Sequence, residues 1–254
     1  MRILWVVLSK EMMEQWRSYR LLIVSVVLLL FGLASPLLAK YTPEILRLAL
    51  PEGEEILKLI PSPTVADAVS QYLKNITQFG VLLAVLMAMG SVAQEKDKGT
   101  AGLMLVKPIP RSVFIVAKFI ALALTFTAGI ALAGVAAYYY TMLLFEPLRL
   151  SVWLTINGLL LLFILVYVAL TLLCSTLTES QVISGGLAFG FVVVLSGLGA
   201  VPRLGEHLPG QLNTWAGNLV LANGDPAWSA LGVTLGLIVA ALVVAWLVFA
   251  RQEL

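Results

Sequence analysis

Charge is what this chain has least of. Of its 254 residues, 12% are charged, 16 basic and 14 acidic, while 60% are hydrophobic. Soluble domains carry about a quarter charged residues. Thirty charges cannot cover the apolar surface of a water-soluble fold of this size, so the class is an integral membrane protein. Cysteine occurs once, as Cys174, which excludes an internal disulfide. Histidine occurs once, as His207, which excludes a His/Cys metal cage within one chain. No G-x-x-x-x-G-K-[ST] phosphate loop is present, so the chain hydrolyses no nucleotide through a P-loop of its own. G-x-S-x-G is also missing, and His207 falls in an outer loop beside Glu206, which argues against a histidine-dependent intramembrane serine protease. The net charge of +2 is too small to suggest a nucleic-acid partner.

The apolar runs that are present are long. A helix needs about 20 mostly apolar residues to cross the hydrocarbon. Six stretches qualify: 21–39, 77–94, 113–145, 152–177, 181–201 and 228–250. The third has no charge between 119 and 145, and the other five contain no Asp, Glu, Lys, Arg or His. A buried charge costs roughly 3 kcal/mol on insertion scales and is kept for a job. Charge-free spans therefore disfavour a carboxylate-relay carrier and leave a site of hydroxyls and carbonyls open. The segments 40–76 and 202–227 are then outer, cut by prolines into short helical pieces. TVADAVSQYLKN (64–75) is one piece; Leu212, Trp215, Leu219 and Ala222 mark another.

Placing both termini with loops 95–112 and 178–180 puts ten Lys/Arg on one side (2, 10, 17, 20, 96, 98, 107, 111, 118, 251) and six on the other (40, 47, 58, 74, 149, 203). The positive-inside rule then makes both termini cytoplasmic. The opening residues do not read as a signal peptide. Trp5, Leu8, Met12, Trp16 and Tyr19 share one face of an amphipathic helix and Lys10, Glu14, Arg17 and Arg20 the other, as expected of a helix lying in the membrane interface. The pairs Gly186/Gly190 and Gly232/Gly236 suit close helix packing, read as packing within the chain ahead of a dimer seam.

The stretch AQEKDKGTAGLMLVKPIPRS (93–112) lies between two spans and holds six of the charges. The second span is expected to continue as helix through Glu95, Lys96, Asp97 and Lys98, with Gly99 at the C′ position. Thr100 caps a short crosswise helix whose apolar body includes Leu103, and Pro108 and Pro110 stop it. The result is a rigid elbow at the inner surface, its mixed charges facing a partner. Arg111 and Lys118 read as anchors on lipid phosphate ahead of docking contacts.

Glu95-x-x-x-Gly99-Thr100, followed by Pro108, Arg111 and Lys118, resembles the signature of type-two ABC transporter permeases. The resemblance covers the whole chain in layout and about 25 residues in motif. It implies an all-α membrane protein in one transmembrane domain, residues 1–254. That domain would have six transmembrane helices, an N-terminal interfacial amphipathic helix, a cytoplasmic coupling helix between spans two and three, and short extracellular helices between spans one and two and between five and six. It further implies the membrane half of an ATP-driven transporter, usually an exporter, in a prokaryotic inner membrane. Two permease chains would pair above two separate cytoplasmic ATPase subunits. ATP and Mg would sit on those subunits, and no cofactor on this chain. The elbow would be the coupling helix, and Thr178, Glu179 and Ser180 a second, smaller contact. The long segment 40–76 departs from a minimal member and offers a surface to an accessory protein or a gate. Uncharged spans fit an apolar or amphiphilic cargo. The competing readings are a non-transporting subunit that anchors or assembles a membrane complex, and an inner-leaflet enzyme, for which no convergent polar residues are found.

Overall fold

The computed structural model describes residues 2–49, 62–99, 110–221 and 225–252. Among them the chain is all helical: α1 (Arg2–Arg17), α2 (Arg20–Ala49), α3 (Val65–Ala88), α4 (Ala93–Asp97), α5 (Arg111–Leu144), α6 (Leu150–Leu177), α7 (Gln181–Gly199), α8 (Gln211–Asn218) and α9 (Trp228–Arg251), with single 3-10 turns at Gly205–His207 and Leu219–Leu221. Six of these elements, α2, α3, α5, α6, α7 and α9, are long and apolar enough to cross a membrane, as the hydrophobic runs require.

Helix α6 is the axle. Of its apolar window 72% is buried, against 11% for α7, and α3, α5, α7, α8 and α9 all pack on it. The broadest helix pairing is α2 on α5. It is made close by Gly32, where an added Cβ would lie 2.6 Å from the backbone oxygen of Ala133. Facing it, α5 presents Gly129, Ala133 and Ala137 at spacing four, all buried, the small-residue pattern that lets helix backbones approach in lipid. One apolar core cluster joins Tyr72, Phe126, Trp153 and Ile164. A second, toward the chain termini, gathers Phe114, Val166, Leu172, Ala245 and Phe249, with the Phe114 and Phe249 rings stacked at 5.0 Å.

Three expectations need correction. The first span does not stop near residue 39: α2 runs to Ala49 through Pro36 and Pro43. Ser35 and Thr42, one residue before each proline, donate to the carbonyls of Phe31 and Leu38, the kind of side-chain bonding that helps a membrane helix tolerate proline. Residues 65–76 are not a separate outer piece but the first half of α3. The helix opens on a capping box in which Asp67 accepts from the Thr64 amide at 2.8 Å, and nothing breaks it before Ala88. Gly186, Gly190, Gly232 and Gly236 do not pack within the chain: a Cβ added at any of them meets nothing within 4 Å among the described residues.

Helix α8 forms as the spacing of its apolar residues predicts, with Leu212 and Trp215 buried against α6 and α3. Ala222 lies outside the described residues.

A candidate coupling elbow on a buried charge knot

Helix α3 ends at Ala88 and α4 begins at Ala93, so the second span does not run unbroken into the charged stretch. Four residues of turn separate them. The turn would strand backbone donors, and Ser175 of α6 takes them up. Its Oγ accepts from the amides of Val92 and Ala93, each at 3.0 Å, and donates to the carbonyl of Met89 at 2.8 Å. Gly99 follows α4 with φ +66°, the left-handed geometry of a helix C′ residue.

The charges after the turn divide. Asp97, Lys98 and Gly99 are exposed. Glu95 and Lys96, expected to face a partner with them, point into the protein. Lys96 Nζ donates to the Thr176 carbonyl at 2.8 Å and to Gln252 Oε1 at 3.1 Å, so it satisfies a terminal carbonyl of α6 and ties down the residue after α9. Gln94 donates to Gln181 at the start of α7. Glu95 Oε1 accepts from Lys118 Nζ at 2.9 Å and from Lys10 Nζ at 3.0 Å. Through these bonds the elbow is fastened to α1, α5, α6, α7 and the segment after α9. The N-terminal helix, the elbow, the 178–180 loop and the C-terminal residues therefore share one end of the bundle.

Lys118 is no lipid anchor. It lies seven residues into α5, about 10 Å along the axis, and only 2% of its side chain is exposed. Its ammonium meets Glu11 Oε2 at 3.1 Å and Glu95 Oε1 at 2.9 Å and sits 4.8 Å from the Phe114 ring centre. Glu11 is 3% exposed. Lys10 bridges Glu11 at 3.0 Å, Glu14 at 3.4 Å and Glu95 at 3.0 Å. Burial alone would lower the Lys10 ammonium, but Glu11 and Glu95 beside it hold it above its ordinary range. Oxygens of Glu11, Glu14 and Glu95 come within 4.8 Å of one another, a spacing open to a divalent cation. Two ammonium groups already pair with these three carboxylates, and the knot reads as an ion-pair network.

Glu11 lies between the apolar and polar faces that the helical period of α1 marks, so periodicity alone does not single it out. The signal was the lone lysine inside the third apolar run: an ionisable group at that depth needs a partner, and Lys10-Glu11 is the nearest pair in the N-terminal helix. Of the expected apolar face, Trp5, Leu8, Met12 and Trp16 lie on α1, but Tyr19 does not: the helix ends at Arg17 and Tyr19 has φ +59° in the turn that follows. Trp5, Trp16 and Tyr19 are exposed, Leu8 and Met12 half-buried, so the aromatics turn away from the bundle, while Val7, Glu11 and Gln15 on the opposite edge are buried. Arg17 is exposed and Arg20 half-buried, as interfacial cations should be.

Arg111 has a different task from the anchor or dock expected of it. Its Nη1 donates to the carbonyls of Phe249, Ala250 and Gln252 at 2.9, 2.7 and 2.9 Å, capping the last turn of α9 where orphan carbonyls and the negative dipole end attract a cation. In the 178–180 loop, Thr178 Oγ1 donates to the Ser180 carbonyl at 3.1 Å. Ser180 Oγ caps α7 by accepting from the Ile183 amide, and Glu179 is exposed. Thr100, Leu103 and Pro108, expected in the crosswise helix, lie outside the described residues.

With this arrangement in view, comparison with known proteins is decisive. A family profile described as ABC-2 family transporter protein matches residues 5–254. The chain belongs to the ABC-2 transporter family. It is a multi-pass membrane permease of that family. A relative from Bacillus subtilis (strain 168), the uncharacterized transmembrane protein YxlG, is 28% identical over 228 residues, covering 87% of this permease and 86% of the relative.

Proposed function

We propose that this permease is the membrane subunit of an ATP-driven exporter of an apolar or amphiphilic substance. Two cytoplasmic ABC ATPase subunits carry the ATP and Mg, and each docks on the elbow of one permease chain. The observation that carries the reading is the elbow itself. A segment bonded to five other elements at one end of the bundle transmits a push to all of them at once, whereas a passive anchor has no need of such bracing. Asp97, Lys98 and Gly99 are the exposed part, with Glu179 a smaller contact nearby. Both termini then lie in the cytoplasm of a prokaryote, beneath its inner membrane. The open faces of α7 and α9 around Gly186, Gly190, Gly232 and Gly236 support pairing with a second permease chain, whose backbone these glycines would admit closely. The segment 40–76 would meet an accessory protein outside.

The test is charge reversal where nothing in the chain would notice. Asp97→Arg with Lys98→Glu leaves the thermal stability of the permease unchanged. It cuts co-purification of a P-loop ATPase encoded by an adjacent reading frame by at least tenfold, about 1.4 kcal/mol. Undiminished ATPase binding refutes docking at the elbow. Labelling of Lys98→Cys from outside the cell by a membrane-impermeant maleimide refutes the orientation.

A further inference from the structure

Two of the cavities among the described residues lie between the spans, and they differ in one chemical respect. The first, about 320 Å³ between α5 and α6, is lined by Thr127, Tyr138, Trp153 and Asn157 among apolar residues. Each of these four polar side chains is satisfied within the chain: Thr127 by Ala123, Tyr138 by Leu148, Trp153 by Gly134, and Asn157 by Tyr72 and Trp153. The second, about 400 Å³, lies between α3, α6 and α7, and Thr77, Gln78, Tyr167 and Ser196 line it with Phe163 and Phe189. None of those four polar side chains has a hydrogen-bond partner among the described residues.

Some helical hydroxyls of the chain are held by the carbonyl four residues back, as those of Ser35, Thr125, Thr127, Thr155 and Thr234 are. Thr77 and Ser196 have the same carbonyl available and do not use it. Tyr167 as a whole is 5% exposed, and its hydroxyl makes no hydrogen bond among the described residues. Ser25 and Ser184 are also unpaired, but neither lines either cavity. Thr77 Oγ1 is buried without a partner, while Gln78 and Ser196 are exposed at the rim. An unpaired polar group costs free energy in a dry interior, so Thr77, with Tyr167 on the wall of the same apolar hollow, marks a place where a ligand supplies the missing bonds. The volume falls in the range of small-molecule sites, roughly 300–1,000 Å³.

We infer that this hollow binds the cargo, and that the cargo is an uncharged amphiphile: an apolar or aromatic body between Phe163 and Phe189, and a head of hydroxyl or carbonyl groups shared by Tyr167, Thr77, Ser196 and Gln78. The inference rests on the exporter reading and adds the substrate class. Among the described residues no charged side chain lines the hollow, so an ionic head would be desolvated without a counter-charge. The outer wall is α7, which lies on α6 and leaves Val182, Phe189 and Val193 exposed, so the wall swings outward without dismantling a core.

The probe is 1-decanoylglycerol carrying a diazirine at the chain end. Decanoate and decyltrimethylammonium with the same tag serve as anionic and cationic comparisons. Binding is measured by photolabelling of the purified permease in nanodiscs, without ATPase. The glycerol ester labels peptides of α3 and α7 at least tenfold more than either ion does. Tyr167→Phe with Thr77→Val weakens its labelling about tenfold, and Val192→Trp, which fills the hollow, abolishes it. Folding of each variant is checked by its thermal unfolding midpoint, and should one be lost, Ser196→Ala and Phe189→Ala replace it. Equal labelling by all three probes overturns the inference, as does label confined to the α5–α6 cavity or labelling unmoved by Val192→Trp. Loss of specific labelling with ATPase docking intact sinks this proposal alone. Specific labelling with no ATPase docking sinks the exporter reading alone.

Discussion

Replacing Lys118 by methionine keeps the length and most of the volume of the side chain and removes only the charge. Lys118 is 2% exposed and its two carboxylate partners are 3% and 13% exposed. At contacts near 3 Å and an effective dielectric of about 20, each attraction is worth about 5 kcal/mol before desolvation is subtracted. Removing one member of such a buried set costs about 3–5 kcal/mol, because a charge is left without compensation. Lys10 still reaches both Glu11 and Glu95 at 3.0 Å, which places the loss near the lower end, about 3 kcal/mol. Lys10 itself is 40% exposed, and Lys10→Met costs under about 1 kcal/mol. For a chain of 150–250 residues each kcal/mol moves the midpoint by roughly 2–4 °C. The two variants should therefore differ clearly: a fall of about 6–12 °C for Lys118→Met and at most about 4 °C for Lys10→Met, read by tryptophan fluorescence of the permease in nanodiscs. Glu11→Gln added to Lys118→Met should recover about 1–3 kcal/mol relative to the sum of the single changes, the coupling expected of touching residues. Equal shifts for the two lysines, or strict additivity of Glu11→Gln with Lys118→Met, would refute the buried knot.

Other variants probe the remaining bonds. Ser175→Ala deprives two backbone amides of their acceptor, at about 1–3 kcal/mol each, and should speed hydrogen exchange at Val92 and Ala93 while leaving the outer end of α3 protected. Arg111→Met strips the cap from α9 and should raise exchange over residues 246–252; unchanged protection there would deny the capping role. Gly32→Ala drives a methyl into the backbone of Ala133 and should destabilise by about 1–3 kcal/mol. Gly236→Ala, with open space around it, should leave the isolated chain within about 1 kcal/mol of its original stability, and a larger loss would mean that a neighbour already sits there.

Much of the bundle was legible because lipid imposes one rule on every span: backbone groups must pair within the segment, so length and apolarity suffice to find it. Where the rule relaxes, inference weakened. Proline in α2 looked like a terminus because its effect in water was applied to a helix that continues through Pro43. The glycines picked by spacing, Gly186, Gly190, Gly232 and Gly236, face open space, while Gly32 does the close packing without a glycine four residues away. A motif records which residue types recur, not which way they point. Glu95, Lys96, Arg111 and Lys118 therefore looked alike as surface charges, although only contact geometry separates those that bind outward from those that hold the chain to itself. The cavity residues Thr77 and Tyr167 gave no signal, since an unpaired hydroxyl is visible only once its neighbours are known.

Ser175 has one further implication. Because the bend after α3 takes its missing hydrogen bonds from the most enclosed helix of the bundle, the bend cannot tilt without dragging that helix along or surrendering three bonds. Under the proposed docking, a push on the elbow would thus enter at the centre of the molecule, leaving the lightly held α7 at the rim as the part to yield.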